Sequence, residues 1–328
     1  MTTAVENASV TLSARPGFEG ANIRTWIGFK HFAYLVEQGV LEWFRERGHG
    51  PGRLYHEHGV GLSIRDCSLL LPAVLDVDDT ATVVATPAAN GRFAVRMGVR
   101  RDADVTATVL ATPAANGRFA VRMGVRRDAD VTVCRARVRV ALVREADVPQ
   151  GAPLPAELAG LAEEPAVGEP GAPAGADPAD TLRAAGAGFV WPWRVPYFYC
   201  QYSQRMQHSG YVRLLEEVVD RYLADRGVSV GRMLRERGWI PVVSRARIEV
   251  LGDAHLDEPM WVSFTVTDVL KDVTYDARMD CHVVRDGRLV RVATASILHG
   301  YAVSRGPEAG RLATLDEDTV AALTGGQR

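Results

Sequence analysis

Three features of the sequence predict an α+β chain of two similar halves, each a long helix wrapped by an antiparallel sheet. In QYSQRMQHSGYVRLLEEVVDRYL (201–223), the residues Tyr211, Leu214, Leu215, Val218, Val219, Tyr222 and Leu223 recur at helical spacing and form one apolar stripe. An aromatic lead-in followed by a helix pattern occurs twice, at 23–47 and again at 190–227. Each is followed by segments that alternate apolar and polar residues, as strands do when one sheet face is buried.

In chain order, the first helix pattern ends at Gly48, Gly50 and Pro51. GVGLSIRDCSLLLPAVL, ATVVATP, GRFAVRMGVRR and VTVCRARVRVALV then read as strands of an N-terminal domain, 1–146. Residues 147–187 are rich in Pro, Ala, Gly and Glu and poor in large apolar groups, which predicts a flexible linker with one short helix near Leu154–Ala162. A C-terminal domain, 188–305, repeats the plan with strands VVSRARIEVLG, MWVSFTVTDVL, VTYDARMDCHVVRD and RLVRVATASILHGYAV, and a tail covers 306–328. The stretch 81–106 recurs at 107–132 with Val84 replaced by Leu110, so one copy is surplus to the shared plan. The expectation is that one copy pairs in the sheet and the other forms an added hairpin or an excursion at an edge.

The balance of 38 basic and 40 acidic residues, formal charge −2, offers no basic field for nucleic acid. Cys67, Cys134, Cys200 and Cys281 lie far apart with no CxxC pair, against a zinc site or disulfide framework and in keeping with a reducing cytoplasm. The start of the chain has no charged-then-apolar leader and no run approaches a membrane span, so a soluble cytoplasmic protein is expected. No nucleotide-binding glycine loop is present either, and no metal or other cofactor is expected.

Setting Gly39 opposite Gly210 aligns Lys30 with Gln201, Tyr34 with Arg205, Glu37 with His208 and Glu46 with Glu217. The halves share apolar positions and differ in polar ones. His208, Ser209 and Gly210 fall where a helix start exposes free backbone N–H groups and a partial positive charge, a place that can hold a carbonyl oxygen.

A lead-in strand, one long helix and four or five antiparallel strands, all occurring twice, resemble a tandem (double) hotdog fold, a pseudo-dimer within one chain. MQHSGYVRLLEE is similar to the HGGxxxxLxE pattern of hotdog acyl thioesterases that use a helix glutamate: His208, Gly210, Leu215 and Glu217 match, and Ser209 replaces the first glycine. The resemblance implies hydrolysis of an acyl-CoA or acyl-carrier-protein thioester. Glu217 is then base or nucleophile, the Gly210 N–H polarises the carbonyl, His208 orients or donates, and Gln201 is a further polar contact. Tyr202, Arg205 and Tyr211, with Gly39 and Glu46 from the first half, are the expected substrate-binding residues. Glu37 at the histidine position marks the first-half site as degraded.

Other readings of the same residues stand beside this one. Arg213 and Arg221 flank Glu217 at four residues on either side, the pattern of a solvated ion pair. The rings of Trp191, Trp193, Tyr197, Phe198, Tyr199 and Tyr202 suit a core or a pseudo-dimer interface, or the wall of a pocket for a bulky acyl group. A hotdog dehydratase or hydratase on 3-hydroxyacyl thioesters needs a histidine paired with a carboxylate from another segment, for which His56 and His58 offer themselves. A non-catalytic acyl-binding module is the third reading. The Ala, Arg, Gly and Val content points to a GC-rich bacterial source and a role in specialised metabolism. Either a monomer or a homodimer fits a chain that supplies both halves.

Overall fold

The computed structural model describes residues 8–325 apart from 89, 100–111, 115–117, 121–130, 147, 150 and 203. The chain divides into two compact units, Met1–Pro165 with Gln201–Ser209, and Ala166–Cys200 with Gly210–Arg328.

The first unit contains β1 (Val10–Ala14), α1 (Phe29–Glu46), α2 (Pro51–His58), β2 (Val60–Leu70), β3 (Ala81–Ala88), β4 (Arg92–Val99) and β5 (Val131–Arg144). Its strands pair antiparallel in the order β1-β3-β4-β5-β2. Strand alternation sends Cys134, Ala136, Val138 and Val140 of β5 into the core, where α1 contributes Phe32, Leu35, Val36, Val40, Trp43 and Phe44. A Cβ on Gly39 would lie 2.8 Å from Val83 Cγ1, so this glycine, expected among the substrate-binding residues, is instead where α1 meets β3. Gly39→Ala is expected to destabilise by about 1–3 kcal/mol through overpacking, outweighing the gain of about 1 kcal/mol in helix propensity. A denaturation midpoint that stays or rises would count against that close contact.

The second unit contains α3 (Pro178–Ala184), β6 (Phe189–Arg194), α4 (His208–Asp225), α5 (Val230–Arg237), β7 (Trp239–Val250), β8 (Pro259–Leu270), β9 (Thr274–Arg285), β10 (Arg288–Val303) and α6 (Glu317–Thr324); the first two residues of α4 belong with the first unit. Its strands run β6-β8-β9-β10-β7, again antiparallel and in the same order of lead-in, second, third, fourth and first strand. All seven stripe residues of α4 are buried, Tyr211, Leu214, Leu215, Val218 and Leu223 completely. Burial of each such side chain is worth roughly 1.5–3 kcal/mol, and this is what holds the helix to its sheet. In each unit a short helix follows the long one and ends on a left-handed glycine, Gly59 (φ 65°) and Gly238 (φ 67°), which turns the chain into β2 and β7.

Two expectations need correction. Residues 147–187 are not a leash: Ala162–Glu163 pairs parallel with β5, Glu169–Pro173 pairs antiparallel with β10, and α3 buries Ala179 and Leu182 against Val190 and Leu289. Small apolar residues suffice there because an exposed strand edge supplies the backbone hydrogen bonds. The helical turn expected near Leu154–Ala162 is a single 3-10 turn at Ala159–Leu161. The unit boundary therefore falls between Pro165 and Ala166, and Gln201–Ser209 crosses back into the first unit. In the duplication, the first copy forms the β3–β4 hairpin and the second ends in the start of β5. Thr112–Ala114 and Arg118–Ala120 of the second copy form a separate two-stranded ladder, and the rest of that copy up to 130 lies outside the described residues.

Candidate active site

The segment leading into α4 is a tight reversal: Cys200–Gln201 pairs with Arg205–Met206, and Tyr202 turns the chain with φ 57°. His208 then opens α4. Its ring is buried, its Nε2 has no hydrogen-bond partner among the described residues, and burial pushes its pKa down to about 4, against a smaller upward pull from the Asp66 carboxylate on β2. The imidazole is therefore uncharged at neutral pH. Ser209 and Gly210, both buried, complete the first turn, where backbone N–H groups have no acceptor within the helix.

Glu217 stands elsewhere. Nine residues beyond His208, it is about 14 Å further along the axis and about 180° around it. Its Oε1 accepts from Arg221 Nε at 3.0 Å and Nη2 at 2.8 Å, with the carboxylate side chain 39% exposed. Arg221 in turn lies 4.1 Å over the Trp191 ring. Glu217 shares its helical face with Gly210, seven residues and about 340° away. The helix thus does not bring His208 and Glu217 together, although Gly210 and Glu217 look the same way.

Of the other expected residues, Tyr211 is fully buried in the α4 stripe and Glu46 is exposed as the last residue of α1. Gln201 is half-buried in the short ladder. Arg205 is not a free anchor for substrate: its guanidinium forms a buried ion pair with Glu145, just past β5. Tyr202 stacks on Tyr55 at 5.5 Å between ring centroids, and its hydroxyl hydrogen-bonds the Leu62 backbone. Burial first, then the charges of Glu145 and Glu37, push the Tyr202 pKa up to about 12. Glu145, Gly61, Tyr55 and Asp66 carry no motif, and sequence reading had no signal for them. In the aromatic lead-in, Tyr199 is buried and reached by Trp193 (5.3 Å), whereas Tyr197 and Phe198 are exposed.

Residues 196–323 match the model of the Thioesterase-like superfamily. No curated protein matches the chain in sequence. Among solved structures, the chain is similar to a Lactobacillus plantarum protein assigned as an oleoyl thioesterase, at TM-score 0.56 and 8% identity over 90% of this chain and 97% of that one. It is also similar to the 12:0-ACP thioesterase from Umbellularia californica, at TM-score 0.55 and 11% identity over 89% and 94%. A third is an acyl-ACP thioesterase from Bacteroides thetaiotaomicron, at TM-score 0.51 and 9% identity over 89% and 97%. The fold is that of the hotdog thioesterases, and the match to the Thioesterase-like superfamily covers residues 196–323.

Proposed function

We propose that the chain is a tandem double hotdog that hydrolyses an acyl-CoA or acyl-carrier-protein thioester at the N-terminal end of α4. The single observation that carries the reading is His208, a buried, uncharged imidazole with an unpartnered Nε2 in the first turn of that helix. Its ring N–H, or the backbone N–H of Gly210, is the donor to the thioester carbonyl, whose oxygen gains charge as the tetrahedral intermediate forms. Glu217, opposite His208 and on the Gly210 face, serves as nucleophile or base only for a carbonyl held by the Gly210 N–H and not for one held by the imidazole. Its exposed pairing with Arg221 does not oppose this, since such pairs are worth about 0–1 kcal/mol. Two units of one strand order, and solved structures that align over 89–90% of the chain, support the tandem form. The lead-in aromatics Trp191, Trp193 and Tyr199 favour a bulky acyl group, and composition favours a cytoplasmic role in bacterial specialised metabolism.

Thiol release from a panel of acyl-CoA and acyl-carrier thioesters is the test. Glu217→Gln is expected to lower kcat about 10²-fold, and unchanged turnover would remove Glu217 from the mechanism. A second reading, dehydration of 3-hydroxyacyl thioesters, is favoured by one observation: the charge of Asp66, from another segment, bears on His208. Loss of water without thiol release, abolished in Asp66→Asn, would select it.

A further inference from the structure

We infer that the buried Arg205–Glu145 pair, locked in place by Tyr202 and Gly61, is the positioning device that sets His208 for catalysis; the inference rests on the reading of His208 given above. The segment Gln201–Ser209 is a short crossing, flanked in sequence by residues of the second unit but belonging with the first. Something must fix its place along the first unit, and two residues separate Arg205 from His208.

The fixing contacts converge. Glu145 is held at the end of β5 by its own N–H, which donates to Gly59 O at 3.0 Å. A Cβ on Gly61 would collide with Glu145 Oε1 and lie 2.9 Å from both Arg205 Nη2 and Tyr202 Cδ2. The β2 backbone at Gly61 is therefore the floor on which all three side chains rest, and only a hydrogen at that Cα leaves room for them. Tyr202 is tied by its stack on Tyr55 and by its hydrogen bond to the Leu62 backbone. Its left-handed φ, uncommon for a residue with a Cβ, is sustained only where surroundings over-determine it.

The chemistry of the pair argues for placement over stability. Side chains of Arg205 and Glu145 are 7% and 1% exposed, and burying two charges loses about as much solvation as their attraction returns. An apolar contact would hold the segment as firmly yet let it slide. A planar guanidinium facing a carboxylate fixes distance and orientation together. With the carboxylates of Glu145 and Glu37 both acting on Tyr202, the guanidinium of Arg205 also supplies the positive charge this cluster requires.

The test is a double-mutant cycle on the full chain, with kcat and KM measured for thioester hydrolysis and folding checked by circular dichroism at the assay temperature. Arg205→Lys keeps both charges, so the chain folds, but an ammonium cannot reproduce the planar contact; Glu145→Gln keeps the shape and removes the charge. Each is expected to lower kcat about tenfold or more with KM changed less than about threefold. In a His208→Ala background the same substitutions are expected to lower the residual kcat less than about threefold, because the residue they position is gone. Folded Arg205→Lys with wild-type kcat overturns the inference, as does a tenfold loss that persists without His208. If His208→Ala alone keeps wild-type activity, the reading of His208 fails first. If His208→Ala is inactive while Arg205→Lys is fully active, only the positioning role fails.

Discussion

Taking the protein from pH 7 to pH 4 is expected to lower its resistance to denaturant steeply, and His208 and His299 are the main reason. Burial holds both imidazoles below their ordinary value, His208 at about 4 and His299 at about 3. The unfolded chain takes up a proton on each near pH 6.5, so between that pH and the folded values the unfolded state binds more protons. Stability is then complete above pH 6.5 and is lost as pH falls through the folded values. By pH 4 each of the two losses is on the order of 3 kcal/mol, and together they are comparable with the whole stability of many domains, about 5–15 kcal/mol. His299 sits between the rings of Tyr275 (5.0 Å) and Tyr301 (5.9 Å), so Phe fits the same space without titrating. Urea melts of wild type and His299→Phe across this range are the measurement. The variant should keep more of its pH 7 stability at pH 4; equal slopes for the two would show that His299 does not drive the acid transition.

What the sequence made legible, and what it hid, follows the range of the forces involved. The α4 stripe and the strand alternation are local patterns, and residue types at those spacings place Tyr211 through Leu223 in the core without reference to anything distant. The shared plan of the halves was legible for the same reason. The helices α2 and α5 were not, because each is eight residues long and buries one large side chain, Leu54 or Met233, which leaves no periodic stripe. The docking of 166–187 depends on backbone pairing with β10, which composition does not encode. In the site, the His208–Gly210 turn was visible as a motif, and the opposed directions of His208 and Glu217 were available from helical arithmetic alone. The Arg205–Glu145 pair was not, since its partners are 60 residues apart and nothing local to either signals the other.

His208→Ala is expected to lower kcat by about 10²–10³-fold, the loss that follows removal of one donor from a developing oxyanion. The direction of its pKa makes the pH profile informative as well. With the imidazole uncharged down to about pH 4, a wild-type profile governed by His208 has no break near 6.5; the proton that would silence it goes on only near 4. His208→Gln, which keeps an N–H donor of similar reach, should recover part of the lost rate, whereas a pure packing role would be served as well by Leu. KM should move little, because the interaction strengthens as charge develops on the oxygen and contributes less to the ground state. Turnover within threefold of wild type in His208→Ala would take the imidazole out of the chemistry. It would leave the Gly210 N–H and Glu217, which share a face of α4, to carry the reaction without it.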